Sequence, residues 1–440
     1  MKLSGWGRYP QADCVVLRPR AIKDLKDALA QGPVIARGMG RAYGDSALNK
    51  RATIDMARFN HMLAFDPVSG LLTVEAGVVL GDIIEVFLPR GWFPPVTPGT
   101  KFVTVGGMIA ADVHGKNHHK HGSFGNFVEW LDVLGPDGEI RRCARAENND
   151  LLAYTIGGMG LTGIILRVAF RMQPVATAWI RQETRPAANL AAAMAAFDAA
   201  DEWTYSVAWI DCLSRGDQLG RSLLLLGEHA REDELDAERR GTPFSTPRKR
   251  KLNVPLDAPT WALNKWSVRA FNQLFYRNGV RASGQSLVDW ESYFYPLDGV
   301  GNWNRIYGRR GFAQFQCVIP LANSQAGISA LLREISGSGQ GSFLAVLKRF
   351  GRQDSRFSFP MAGYTLALDF PVNPTTLSLL EKLDQITIEH GGRFYLAKDA
   401  RMKRGTMEQA DDRTAAFRTM REKTGVAPAF TSMQSDRLSL

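Results

Sequence analysis

The chain has 440 residues, 54 Lys and Arg against 44 Asp and Glu for a net charge of +10, and is 45% hydrophobic and 22% charged. That balance excludes disordered, collagen-like and coiled-coil architectures, and the length exceeds what one core fills, so two or three domains are expected. No stretch approaches the roughly 18 apolar residues of a membrane span, and Met1-Lys2-Leu3-Ser4 opens no signal-like apolar run, so the expected location is cytoplasmic.

Residues 1–175 read as strands and helices punctuated by glycine. A strand at 34–37 runs into Gly38-Met39-Gly40-Arg41-Ala42-Tyr43-Gly44-Asp45. Alternation predicts strands at 53–56 and 71–77, and helical periodicity predicts a helix at 80–88 that stops near Gly91. Glycine-dense stretches follow at 98–125 and 157–163, the latter leading into a strand at 164–168. Beyond Pro174 the strands at 205–211, 222–226, 312–319 and 364–370 are rich in aromatic and branched residues. Helices at 188–200 and 324–335 lie among them, which implies a second domain. Residues 230–259 are charge-dense, carry Arg248-Lys249-Arg250-Lys251 and lack apolar periodicity. They read as a mobile excursion.

Glycine leaves no side chain between backbone N–H groups and a ligand phosphate. One glycine loop is ordinarily a turn; three beside strands in one domain suggest an extended phosphate cradle. The spacing after Gly38 is not G-x-G-x-x-G and no helix follows it, which argues against a Rossmann site. Four of the seven histidines, His114, His118, His119 and His121, fall within eight residues, in a stretch that also holds Gly115 and Gly122. The glycines favour a loop over a zinc-binding helix, and no metal site is expected. Cys14, Cys143, Cys212 and Cys317 are scattered and read as reduced thiols. The positive surplus suits an anionic partner, yet no nucleic-acid motif is present.

Three strings, Arg37-Gly38-Met39-Gly40-Arg41-Ala42-Tyr43-Gly44-Asp45, Thr104-Val105-Gly106-Gly107 and His114-Gly115-Lys116-Asn117-His118-His119, resemble the flavin-binding segments of the vanillyl-alcohol-oxidase superfamily. The likeness continues in order through Tyr205-Ser206-Val207-Ala208-Trp209, Gln314-Phe315-Gln316 and Lys348-Arg349-Phe350-Gly351 to Tyr395-Leu396-Ala397-Lys398-Asp399. It is strongest with the branch that oxidises a polyprenyl-phosphoryl ribofuranose. The resemblance implies an α+β fold: a two-lobed FAD-binding domain at 1–175 and a substrate domain at 176–385 with a largely antiparallel sheet and flanking helices. Residues 386–440 would return to the flavin site.

It also implies a noncovalent FAD, because Arg41 stands where related oxidases carry a tethering histidine. The implied flavin contacts are Ala36, Arg37, Gly38, Met39, Gly40, Arg41, Ala42, Tyr43, Gly44, Asp45 and Ser46, then Gly99, Thr104, Val105, Gly106 and Gly107. Ala111, Asp112, Val113, His114, Ile165 and Tyr395 complete them. Tyr43, Trp209, Gln314, Gln316, Lys348 and Thr365 would hold substrate, with Lys398 and His114 catalytic. Departures from the family pattern are Thr365 and Ala367, Val207 and Phe294.

The residues themselves agree with alcohol oxidation, which needs a hydride acceptor and a home for the hydroxyl proton. A buried lysine or histidine can take or stabilise that charge. Gln314 and Gln316, two apart on a strand, share a face and can bond sugar hydroxyls, though an outward polar face would show the same spacing. The implied reaction is oxidation of the 2'-hydroxyl to a keto sugar, the first half of an epimerisation serving cell-wall arabinan. Its partners would be an NAD(P)H-dependent short-chain reductase, a quinone or other electron acceptor, and a peripheral contact with the inner membrane. The alternative is an aldonolactone or alditol oxidase acting on a free sugar.

Overall fold

The computed structural model describes residues 1–247, 249, 251–259 and 263–440. A first lobe holds a parallel sheet in the order Val16–Leu17, Thr53–Asp55, Ile35–Arg37. Helix Ile22–Ala30 buries Leu25 and Ala28 with Val34 and Ile54 of that sheet. A second lobe is antiparallel, ordered Ile140–Ala144, Val128–Leu134, Ile164–Arg171, Leu71–Glu75, Met62–Asp66. Its alternation has a direct cause. Leu72 and Val74 point into a core with Ile83, Ile84 and Phe87 of helix Leu80–Phe87, while the intervening residues remain partly exposed. Leu134, Ile164 and Leu166 join the first lobe's core and so lock the two lobes together.

The second domain is an eight-stranded sheet in the order Gly284–Asp289, Trp179–Ala187, Ser222–His229, Tyr205–Ile210, Ala345–Phe350, Gly363–Pro371, Phe312–Pro320, Arg393–Phe394, antiparallel throughout. Helices Leu190–Asp198, Leu321–Ser338 and Pro374–Glu389 cover one face through residues such as Phe197, Leu331 and Leu383. Toward them the strands send Ala313, Phe315 and Cys317, Ala345 and Leu347, and Leu366, Leu368 and Phe370. Each fully buried Leu or Phe contributes roughly 1.5–3 kcal/mol. A one-residue slip would expose all three of Leu366, Leu368 and Phe370, so the register is strongly specified. That register places Gln314 opposite Asp369, Gln316 opposite Ala367, and Lys348 opposite Thr365 on the other face.

After Arg393–Phe394 the chain crosses the interior and docks on the first lobe. Val34 N donates to Ala429 O at 2.9 Å, and Asn49 Nδ2 to Thr431 O at 2.8 Å. The Arg437 guanidinium bridges Asp45 at 2.7 Å and Asp399 at 2.9 Å.

Two sequence readings change. The 230–259 stretch carries a turn at Glu232–Glu234, helix Ala237–Gly241 and strand Leu252–Asn253, which pairs with Val300–Gly301. Leu235 is buried against Trp179 and Ala230, so local order comes from contacts the composition does not reveal. Within the basic run, Lys249 Nζ is paired with Asp289 at 2.6 Å; Arg248 and Arg250 lie outside the described residues. The histidine loop also contains one helical turn, His118–His121, closed by Gly122 at φ +71°. No helix among the described residues is long and apolar enough to cross a membrane.

Candidate active site

A cavity of about 560 Å³ is lined from both domains, within the usual size for a small-molecule site. The first lobe supplies Ala36, Arg37, Gly38, Met39, Gly40, Arg41, Ala42, Tyr43 and Ser46 from strand Ile35–Arg37 and the loop after it. The second lobe supplies Gly99, Thr104, Gly106, Gly107, Ala111, Val113, His114 and Ile165. This wall is mostly backbone. Gly40 sits at φ +64°, where a side chain is strained. A Cβ on Gly106 would stand 2.9 Å from that of Ala76. Thr104 caps helix Val105–Ala110 by accepting from Gly107 N at 3.3 Å.

The facing wall is long side chains: Gln314, Gln316, Lys348 and Asp369 from the sheet, Tyr395 and Lys398 from the returning chain. Tyr43 N donates to Ala397 O at 2.8 Å, and Lys398 N to Tyr395 O at 2.9 Å. These bonds fix Lys398, whose Nζ lies 3.7 Å from the centre of the Tyr43 ring, a cation–π distance. Part of the Lys348 and Lys398 surface remains accessible, on the cavity they line, but protein packs around both. Burial draws Lys348 down to about 8. It also lowers Lys398 to about 7; Asp369 opposes that shift and Lys348 adds to it. Burial raises the Asp369 carboxyl, restrained by a hydrogen bond donated from Gln314 Nε2 and by Lys398.

Gln316 Nε2 donates to Thr365 Oγ1 at 3.2 Å and faces His114 Nε2 at 3.1 Å. With the amide so assigned, His114 Nε2 accepts and its proton sits on Nδ1. Burial, then the charges of Lys348, His118 and Lys398, push His114 well below its ordinary value. It is a neutral imidazole. The other histidines diverge: His118 Nε2 contacts Gln353 Oε1 at 2.8 Å and His119 Nε2 contacts Trp203 O at 2.9 Å.

Six predicted site residues stand elsewhere. Gly44 is a packing glycine, since a Cβ there would lie 2.0 Å from Asp399 O. Asp45 is held by Arg437. Val105 is buried in the second-lobe core. Asp112, at φ +40°, accepts from Ser123 Oγ at 2.6 Å, Gly125 N at 2.9 Å and Gln353 Nε2 at 2.9 Å, and so ties the histidine loop together. Trp209 donates its indole N–H to Phe343 O at 3.1 Å and packs on Phe275, outside the cavity lining. Thr365 accepts from Gln316 instead of lining the cavity. Conversely, Trp6, Phe102, Asp298, Trp303 and Asp369 line it unforeseen. For Asp369 a signal existed: one carboxylate in an otherwise apolar strand.

Three buried polar atoms on lining residues lack a partner, Arg41 Nε, His114 Nδ1 and Gln314 Oε1. The Arg41 guanidinium lies 4.0 Å from the Trp6 ring centre, stacked instead of ion-paired. Glycine backbone, Arg37 and Arg41 suit a pyrophosphate, and the amide, imidazole and ammonium groups suit a polar ring system. The residues present therefore fit FAD.

Residues 14–144 match the family model described as an FAD binding domain. An L-gulonolactone oxidase of Bos taurus is 26% identical, over only 40% of this chain and 41% of its own. A protein encoded in the mprA 5' region of Streptomyces coelicolor is 32% identical over 82% of this chain and all of its own. The decaprenylphosphoryl-β-D-ribose oxidase of Mycolicibacterium smegmatis is 36% identical over 453 residues, covering 100% of this chain and 97% of that one. With a cavity that fits FAD and this full-length likeness, the chain belongs to the decaprenylphosphoryl-β-D-ribose oxidase family and is an FAD-dependent oxidoreductase.

Proposed function

We propose that this protein oxidises the 2'-hydroxyl of a polyprenyl-phosphoryl ribofuranose to the 2'-keto sugar. The observation that carries this reading is the full-length likeness to an oxidase named for decaprenylphosphoryl ribose, joined to a cavity that gathers Lys398, Lys348, Gln314 and Gln316. FAD, when bound, supplies the acceptor for the hydride from C2'. Gln314 and Gln316 orient sugar hydroxyls. Lys398 receives the hydroxyl proton, because burial favours its free amine over the ammonium. His114 is ill suited to accept that proton, since its basic nitrogen already faces the Gln316 amide. It serves instead as a neutral donor through Nδ1. Lys348 keeps the site cationic for an anionic substrate.

The product is a ketone whose re-reduction from the opposite face inverts C2'. An NAD(P)H-dependent reductase is the class of partner that completes this, with a quinone or similar acceptor reoxidising the flavin. Anaerobic flavin bleaching tests the reading. Polyprenyl-phosphoryl ribose should bleach the holoenzyme while L-gulonolactone and free ribose do not; bleaching by a free sugar alone would overturn it. We further propose that the FAD is noncovalent, since Arg41 offers no nucleophile and Cys143 is buried, its thiol raised to about 11. Acid precipitation should leave all yellow colour in the supernatant.

A further inference from the structure

We propose that helix Lys265–Arg281, together with strand Leu252–Asn253 and Leu256, is an interfacial element that seats the protein on an anionic lipid bilayer. The helix docks on the eight-stranded sheet by one narrow face. Val268 and Asn272 are buried, Asn272 Nδ2 donates to Asp211 Oδ1 at 2.7 Å, and Gly279 lies flat on Leu223. At helical spacing on the opposite side stand Trp266, Ala270, Leu274, Arg277 and Arg281. Trp266 is 67% exposed and Leu274 61%, with Phe271 and Phe275 exposed at the flank. Leu252 and Leu256 add 63% and 77%.

Scattered apolar residues on a surface need no explanation, but Trp266, Ala270 and Leu274 share one helix face, and the elements carrying the others meet through a common cluster. Leu263, just before the helix, packs in the same cluster as Val300, Phe343 and Leu344. Phe271 meets Phe343 at 5.6 Å. Residues 252–258 run along 300–305, with Ala258 N donating to Arg305 O at 2.9 Å.

Charge selects the partner. The helix carries Lys265, Arg269, Arg277 and Arg281 and no acidic residue, and among the described residues no carboxylate pairs with any of the four. Aromatic and leucine side chains at the headgroup boundary, flanked by basic residues whose stems reach the phosphates, are the composition of an interfacial helix. A second copy of the chain is a poorer occupant, because a twofold contact would press two +4 helices together. The Lys249–Asp289 pair also removes one charge from the basic run that alone suggests electrostatic attachment. Apolar insertion replaces it.

The position has a use, which rests on the function proposed above. Val300, Gly301 and Trp303, partners of the 252–258 segment and its cluster, form part of the cavity wall, as does Leu344. A lipid-linked sugar could present its head to the cavity while its tail stays in the bilayer.

Co-sedimentation of the holoenzyme with phosphatidylglycerol/phosphatidylcholine vesicles tests the proposal. Binding should exceed that to pure phosphatidylcholine at least tenfold and persist in part at high salt, where attraction between exposed charges is screened. Trp266→Glu with Leu274→Glu should cut vesicle partition at least tenfold while flavin absorbance and melting stay as in the parent. Lys265→Gln with Arg277→Gln should erase the preference for the anionic lipid. Unchanged partition in both variants would overturn the proposal. So would a change only in oligomeric state by light scattering, which would make this face a contact between copies. Flavin reduction by a short-chain, detergent-dispersed substrate keeps the two readings apart: the glutamate variant should match the parent. A parent that binds vesicles yet is not reduced sinks the proposed function and leaves this surface standing.

Discussion

The cavity wall contributed by the first domain and the wall contributed by the eight-stranded sheet are built from different materials. The first presents backbone, held open by glycines: Thr104 and Ala76 approach Gly38 and Gly106 too closely for a side chain, and Gly40 takes φ +64°. The second presents Gln314, Gln316, Lys348, Asp369 and Lys398, whose protonation is set by what surrounds them. Backbone donors bind a phosphate at fixed positions and take no part in proton transfer. Ionisable side chains on a rigid sheet supply that chemistry. The first wall should therefore fail by losing cofactor, the second by losing rate.

The largest expected effect lies on the side-chain wall. Lys398→Met keeps the stem's bulk and removes the amine, so flavin reduction by substrate should fall roughly 10²–10³-fold, the usual loss for a positioned electrostatic group. The variant should remain yellow. Rapid mixing measures this, and a parental reduction rate would remove Lys398 from the chemistry.

Gly44→Ala is the counterpart beside the backbone wall. Its methyl would collide with the Asp399 carbonyl at 2.0 Å, part of a backbone that cannot step aside cheaply. Overpacking of this kind costs roughly 1–3 kcal/mol. The denaturant midpoint should drop and FAD should be lost on desalting. A stable yellow Gly44→Ala protein that reduces slowly would break the division between the walls.

Asp369→Asn sharpens it. If the Lys398 amine is the active form, the reduction rate rises with pH through the lysine's pKa. Asp369 raises that pKa, so neutralising the carboxylate must lower it. The rising limb of the pH–rate profile should then move to lower pH, with flavin content unchanged. Movement to higher pH, or none, would contradict the coupling.

Thr365→Val should show the smallest effect. It keeps the strand's shape and removes the hydroxyl that accepts from Gln316 at 3.2 Å and donates to Cys317 O at 2.8 Å. Each of these bonds contributes roughly 0.5–1.5 kcal/mol; loss of the one to Cys317 falls on stability, and loss of the one from Gln316 should give a two- to tenfold fall in kcat/KM, measured by steady-state turnover.

Much of this architecture was legible in the residues alone. Aromatic and branched residues over 312–319 and 364–370 marked two strands, and the two-residue spacing of Gln314 and Gln316 put both on one face. The glycine strings around Gly38 and Gly106 marked backbone that must come close to something. Such features are local, so propensity and spacing within a few residues encode them.

Asp369, Trp6 and Trp303 were not foreseen, and Gly44, Asp45, Val105, Asp112, Trp209 and Thr365, implied as cofactor or substrate contacts, stand outside the cavity lining. Each of these turns on a partner far away in the chain. Gly44 is constrained by Asp399, Asp45 by Arg437, Trp209 by Phe343 and Asp112 by Gln353. Asp369 enters the site because strand register sets it opposite Gln314, 55 residues earlier. The amino-acid sequence by itself determined the elements, the glycine-lined surface and the residue types able to move a proton. Tertiary structure alone decided which of them face the cavity and with what charge, because strand register and desolvation arise only when distant segments pack together.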